Sequence, residues 1–128
     1  MLEKRSLLAT VLFALTAATL AVGAEMPGAT ATEIKIGNTN PYSGPASAYS
    51  VFAKLETAFF KMIDDQGGVA GRRINYISLD DGDSPPKTVE QVRRLVEEDQ
   101  VALLFNTLGT ATNSAIRRYV NQRCRICS

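Results

Sequence analysis

Three carboxylates, Asp80, Asp81 and Asp83, fall within four positions, and a Cys-x-x-Cys pair stands at Cys124 and Cys127. A run of small hydroxyl residues, "NTLGTATNS" from 106 to 114, surrounds a single glycine, and Tyr49 follows a proline- and serine-rich stretch, "PYSGPASAYS". Each group could do different chemistry. The acids could hold a divalent cation or accept a phosphoryl group, the thiols could exchange with a disulfide, and the hydroxyl run could grip an anion. The chain contains no histidine, which excludes Ser-His-Asp and Cys-His catalysis and most zinc sites.

The acids and thiols fit those chemistries poorly. An EF-hand started at Asp81 would put Pro86 at its glycine position and Val92 at its bidentate glutamate position. A turn-and-cap role is expected of Asp80, Asp81 and Asp83 instead. Cys124 and Cys127 follow a helix-forming run, whereas a redox pair should open a helix whose dipole stabilises the thiolate. In an exported protein they could still form an incidental short-loop disulfide.

The hydroxyl run suits a carboxylate. Gly109 lets the backbone come close, the following helix aims N–H groups outward, and Thr107 or Thr110 can add a hydroxyl. A helix N-cap with redundant threonines explains the same composition. The glycine spacing and lysine of a dinucleotide or Walker loop are absent. Tyr49 could cap a helix or offer a ring and hydroxyl to a small ligand; both readings stay open.

The elements that must position these residues alternate: "EIKIG", a helix, "INYISL", a helix, "VALLF", a helix. This reads as βαβαβα, a three-layer α/β unit with a parallel sheet. Phe52, Leu55, Phe59, Met62 and Ile63 recur at spacings of three and four, so this stripe should face the core, with Lys54, Glu56, Lys61 and Asp64 turned away. Gly67-Gly68 should end that helix. Ser84-Pro85 supplies an N-cap and a first-turn proline for the second helix, which should bury Val89, Val92, Leu95 and Val96 and turn "EED" at 97 to 99 outward. "VALLF" lacks polar alternation, as befits a strand covered on both faces. The third helix should begin near Thr110 to Asn113 and bury Ala115, Ile116, Tyr119 and Val120. Ligands of such sheets lie beyond the carboxyl ends of the strands, where the loops at 41–50, 80–84 and 106–110 fall.

Lys4 and Arg5 precede an uncharged run from Ser6 to Gly23 that ends in Val22-Gly23-Ala24, so residues 1–24 are expected to be a cleaved signal peptide. Residues 25–32 form a link and 33–128 the domain. Without 1–24 the chain keeps twelve basic and twelve acidic residues, a balance that argues against a nucleic-acid partner. Arg117, Arg118, Arg123 and Arg125 follow the last acid, Asp99, and read as a solvated helix face.

Taken in order, "EIKIG", "PYSGPASAYS", "IDDQGGVAGRRI", "LDDGDSPPKTVEQVRRLVEEDQVALLF" and "LGTATNSA" resemble the leucine/isoleucine/valine-binding type of ABC-transporter substrate-binding protein. The resemblance implies the type I periplasmic binding fold, with this chain supplying part of lobe one. It also implies a periplasmic, non-catalytic protein without cofactor or metal, which takes a small amino acid or amide and delivers it to a membrane permease. It implies ligand contacts from Tyr49 on the side chain and from Thr107, Leu108, Gly109 and Thr110 on the α-carboxylate. Gly109 stands where many members have serine, so its contribution could be backbone only and Thr110 could supply the hydroxyl. Family members are several-fold longer, and "NQRCRICS" departs from their pattern. The chain is therefore expected to be a fragment, marginally folded and weak in binding, because closure of two lobes normally buries the ligand. The alternatives are a small phosphoacceptor or metal-binding α/β domain using Asp80, Asp81 and Asp83, or a non-functional remnant.

Export should remove the first 24 residues. N-terminal sequencing of the exported product is expected to begin at Glu25, and a mature product that retained Met1 would reject the signal-peptide reading.

Overall fold

The computed structural model describes residues 26–123. The signal segment and the Cys124/Cys127 pair lie outside them. Strand β1 (Glu33–Asn40) is central, with β2 (Arg73–Asp80) on one edge and the short β3 (Leu103–Leu104) on the other, both parallel to it. Helices α1 (Ser50–Asp65), α2 (Pro85–Glu97) and α3 (Thr110–Arg123) follow the three strands in turn, giving the expected βαβαβα order. Glu33 pairs with Arg73 and Asn40 with Asp80, while Ile36 and Gly37 meet Leu103 and Leu104. All three strands thus end at the same side of the sheet.

Alternation assigns the two faces. Leu104 packs with Val92, Ile116 and Val120, so α2 and α3 cover the face that also holds Gly37. The neighbouring Leu103 points the other way, into a groove of about 570 Å³ with Ile36, Leu55, Phe59, Phe60 and Phe105. That face carries α1 alone. The two-helix side is the true core: Val92 and Leu95 are fully buried, and Val89, Val96 and Tyr119 are half-buried around them. Ala115, expected inside, is exposed, because the inward stripe of α3 is Thr112, Ile116 and Val120.

Helix α1 corrects the sequence reading more strongly. Its apolar stripe faces out: Phe52, Leu55, Phe59 and Met62 are all exposed, Leu55 by 68%. The sheet instead meets Ser50 and Ala53, which are buried, and Phe60, whose ring lies 5.0 Å from that of Tyr76 and 5.8 Å from that of Phe105. Ala53 lets the helix approach the strands closely. Glu56 and Asp64, expected to turn away, face the sheet as polar tethers: Glu56 accepts the Tyr76 hydroxyl, and Asp64 accepts the Ile74 amide at 2.8 Å. Two acids can sit there because each receives a donor, which offsets the cost of taking it from water. Burial, and next the bond to Glu56, pushes the Tyr76 phenol above its ordinary range.

Helix ends follow local chemistry. Gly67 and Gly68 have φ of +104° and +73°, and the Gly68 amide returns to the Ile63 carbonyl, which closes α1 as a glycine C-cap does. A Cβ on Gly68 would lie 2.1 Å from the Arg72 carbonyl oxygen, so only glycine fits there. Ser84 occupies the N-cap of α2, yet its side chain makes no capping bond. Strand β3 also departs from expectation: "VALLF" contributes only two ladder residues, and Phe105 is exposed. Ala102 and Phe105 still donate to the Lys35 and Gly37 carbonyls at 2.9 and 2.8 Å, so the segment follows β1 without forming a longer strand. No helix among the described residues is long and apolar enough to cross a membrane.

Leu95→Ala is expected to destabilise the chain by about 2–5 kcal/mol in urea unfolding. Leu55→Lys should change it by no more than about 0.5 kcal/mol. The opposite ranking would restore α1's stripe to the core.

Candidate ligand site at the carboxyl ends of the strands

Three loops leave the ends of β1, β2 and β3 side by side. Gly44 of the first loop is so close to the second that an added Cβ would meet the Gly82 carbonyl oxygen at 3.2 Å. Gly109 of the third approaches the second in the same way, with an added Cβ placed 2.9 Å from Asp83 Oδ1.

The joint between the first two loops is the Asp80 carboxylate. Its Oδ1 accepts the amides of Tyr42, Ser43 and Gly82 at 2.9, 3.1 and 3.0 Å. Its Oδ2 accepts the Ser43 hydroxyl at 2.6 Å and the Lys87 ammonium at 2.9 Å. The Ser43 hydroxyl first, and Lys87 and the backbone amides after it, hold this carboxyl well below the usual carboxylate range. Asp81 is fully buried and does different work: Oδ2 accepts the Thr88 hydroxyl at 2.9 Å and Oδ1 the Asp83 amide at 3.0 Å. The three carboxylates therefore point to three places. Among the described residues no three acidic, cysteine or histidine side chains converge as a metal cage would require.

Beneath the loops the end of β1 is polar and buried. Asn38 donates to the carbonyls of Phe105 and Asn106 at 2.9 Å each and accepts from Ser78, which in turn accepts the Tyr42 hydroxyl. Asn106 reaches across to Glu56. These bonds tie the first and third loops to the sheet. Sequence reading missed Asn38, Ser43 and Lys87; the signal available was polar residues in a strand otherwise read as core.

The expected contact residues separate into two kinds. The Thr107 hydroxyl donates to Asn113 Oδ1 at 2.6 Å, and Asn113 returns a bond to the Thr107 carbonyl at 2.8 Å. The Leu108 amide donates to the Thr39 carbonyl at 3.2 Å. Both donors are thus used inside the protein. The Gly109 and Thr110 amides and the Thr110 hydroxyl donate to nothing among the described residues. They stand where α3 begins and its dipole favours negative charge. Gly109 has φ of +106°, and an added Cβ would lie 2.3 Å from Thr112 Oγ1, so this position offers backbone only. Thr107 and Thr110 also border a cavity of about 450 Å³ along α3, whose wall includes Arg117.

Tyr49 lies in the last turn before α1, makes no capping bond and is 55% exposed, its ring stacked 6.2 Å from Phe52. No hydrogen bond or ring contact joins it to residues 107–110. No hydrogen bond therefore links the two halves of the expected site.

Comparison with known proteins places this geometry. Residues 33–126 match the periplasmic binding protein family. The chain belongs to that family. Its fold is part of lobe one of the type I periplasmic binding fold. A fatty acid ABC transporter substrate-binding protein from Thermomonospora curvata is 24% identical over 76% of this chain, with a TM-score of 0.67. A possible leucine/isoleucine/valine-binding protein from Rhodopirellula baltica is 22% identical over 79%, with a TM-score of 0.67. The substrate-binding protein LivJ of Streptococcus pneumoniae, solved with isoleucine, is 19% identical over 72%, with a TM-score of 0.68. The match spans 25–27% of those three chains. No curated protein matches.

Because the Asp80 carboxyl is held low, its loop-joining bonds should be complete above about pH 4 and be lost as pH falls below it toward the folded-state value. Protection of the Tyr42, Ser43 and Gly82 amides, taken relative to their intrinsic exchange rates, should fall through that acid range. Asp80→Asn should lower that protection at neutral pH and remove its acid dependence; unchanged protection in that variant would remove Asp80 as the joint.

Proposed function

We propose that this chain is part of the first lobe of a periplasmic solute-binding component of an ABC importer, and that its ligand is a small amino acid or related amide. It binds and releases its ligand without catalysis, and its macromolecular partner is the importer's membrane permease. Family membership supports the class, and the isoleucine bound by the pneumococcal relative supports the ligand type.

The observation that carries the reading is the set of unused donors at the head of α3. Two consecutive amides and one hydroxyl, at Gly109 and Thr110, have no partner among the described residues and stand where α3 begins, after the carboxyl end of β3, the side on which such folds bind ligands. A carboxylate or amide oxygen accepts from them, each charge-assisted bond contributing roughly 1.5–3 kcal/mol. Thr107 supports the loop through its hydroxyl and Leu108 through its amide, and Leu108 keeps its side chain for apolar contact. Tyr49 offers its exposed ring to the ligand's apolar part. A second lobe closing over this end would exclude water and strengthen the same bonds.

Titration of the chain with leucine, followed by amide NMR, should shift Tyr49, Gly109 and Thr110 together. Thr110→Val should weaken binding about tenfold or more. Tyr49→Ala should weaken large apolar ligands most. Unchanged affinity in both variants would reduce these loops to caps and turns.

A further inference from the structure

Only α1 covers the second face of the sheet, and its most apolar side is turned to water. Val51, Phe52, Leu55, Phe59 and Met62 of α1, with Phe105 beside them, are between 42% and 68% exposed. Leu55 and Phe59 also wall the groove of about 570 Å³ that reaches Ile36, Leu103 and Phe105, so stripe and groove form one continuous apolar surface. At about 150–250 Å² for an aromatic side chain and somewhat less for an aliphatic one, half exposure leaves roughly 500 Å² there. That lies near the top of what a monomer ordinarily shows to water.

Covering this surface strands no charge. The one ionisable side chain in the groove is Glu56, and both its oxygens are taken, by the Tyr76 hydroxyl and the Asn106 side-chain amide. Lys54 and Lys61 are exposed on the same helix, where long stems let their heads stay in water, and Lys61 is already paired with Asp65 at 2.9 Å.

The shape of the surface selects its occupant. Phe52, Leu55, Phe59 and Met62 are spaced by three, four and three, which is the seam of a helix that packs along another helix. At 1.5 Å per residue the seam is about 15 Å long. Phe52 and Met62 lie outside the walls of the groove, so a small apolar molecule lodged there would leave both ends of the seam in water. A helix with the same seam covers all four residues, and a second copy of this chain carries one. Residues 25–128 hold twelve basic and twelve acidic side chains, so two copies do not repel through net charge. Two such faces together bury roughly 1,000 Å² before the lysine stems are counted, close to the ~1,200 Å² at which specific interfaces begin.

We infer that α1 is a self-association surface, through which two copies of the chain pair antiparallel about a twofold axis between Leu55 and Phe59. Phe52 of each copy then meets Met62 of the other, Leu55 meets Phe59, and the two helix dipoles oppose each other. The contact uses the same patch on both copies, so it closes at two. It uses neither Gly109 nor Thr110 and is independent of the proposed ligand site.

The test is sedimentation equilibrium of the exported product, residues 25–128, with reductant present so that Cys124 and Cys127 cannot link copies. Between about 10 µM and about 1 mM the monomer should give way to dimer, with a midpoint on the order of 100 µM. Amide NMR over that range should show shifts at Phe52, Leu55, Phe59 and Met62 and none on the outer faces of α2 and α3. Leu55→Lys and Met62→Lys, which leave the monomer's core untouched, should each weaken pairing by at least about tenfold. A strict monomer at the highest concentration would overturn the inference, as would assembly that grows past the dimer. A dimer indifferent to both substitutions would overturn it too, and shifts confined to Leu103–Phe105 would then move the contact to the edge of β3. Laurate serves as the competing occupant: shifts at Ile36, Leu103 and Phe105 in a chain that stays monomeric would make the groove a small-ligand pocket instead.

Discussion

Pairing of β1 along both edges fixes where everything else can go. A parallel neighbour on each side cannot be reached by a hairpin, so the chain must cross over twice, and each crossover returns to the same starting end. The exits of β1, β2 and β3 are thereby gathered at one side. Asn40 lies opposite Asp80 in that register, so the acid that closes β2 is presented to the loop that leaves β1. The Asp80 staple follows from the pairing: Tyr42 and Ser43 come within reach because the strands end level. Shift the register by one residue, and neither amide would find the carboxylate.

The same arrangement explains why the two faces differ. The crossover from β2 to β3 passes over β1, and α2 and α3 then lie side by side and share a core. The crossover from β1 to β2 places α1 by itself on the opposite face, leaving Leu103 and Phe105 in an open groove beside it. Helical periodicity counts apolar residues without stating what they touch. In α1 the count was sound, but the sheet meets a helix face offset from the stripe, where Ala53 permits approach and Glu56 and Asp64 supply bonds. The stripe of Phe52, Leu55, Phe59 and Met62 is left exposed as a result.

Element order and the parallel sheet were legible because they depend on short-range signals: β-branched runs, glycine stops and a proline at the start of α2. The third loop was legible for the same reason, since Gly109 and its threonines mark a helix start by composition alone. What could not be read was which donors remain free. Thr107 and Thr110 look alike in the sequence, and only tertiary placement shows that Asn113 takes the hydroxyl of the first while that of the second is unbound. The three acids show the same limit. A turn-and-cap reading describes Asp80 and Asp81 well, but the position of Asp83 against Gly109 arises from contact between loops about 26 residues apart, which no local pattern encodes.

Polar capacity at the strand ends is shared unevenly: Thr39 Oγ1 and both polar atoms of the Asn40 side chain are buried without a partner among the described residues. Around them Asn38 makes three bonds, Asp80 accepts five and Asp81 two, which leaves the first two loops little freedom to move. That rigidity is useful to a binding site. Groups already fixed in position lose little entropy when a ligand arrives, so a few bonds suffice.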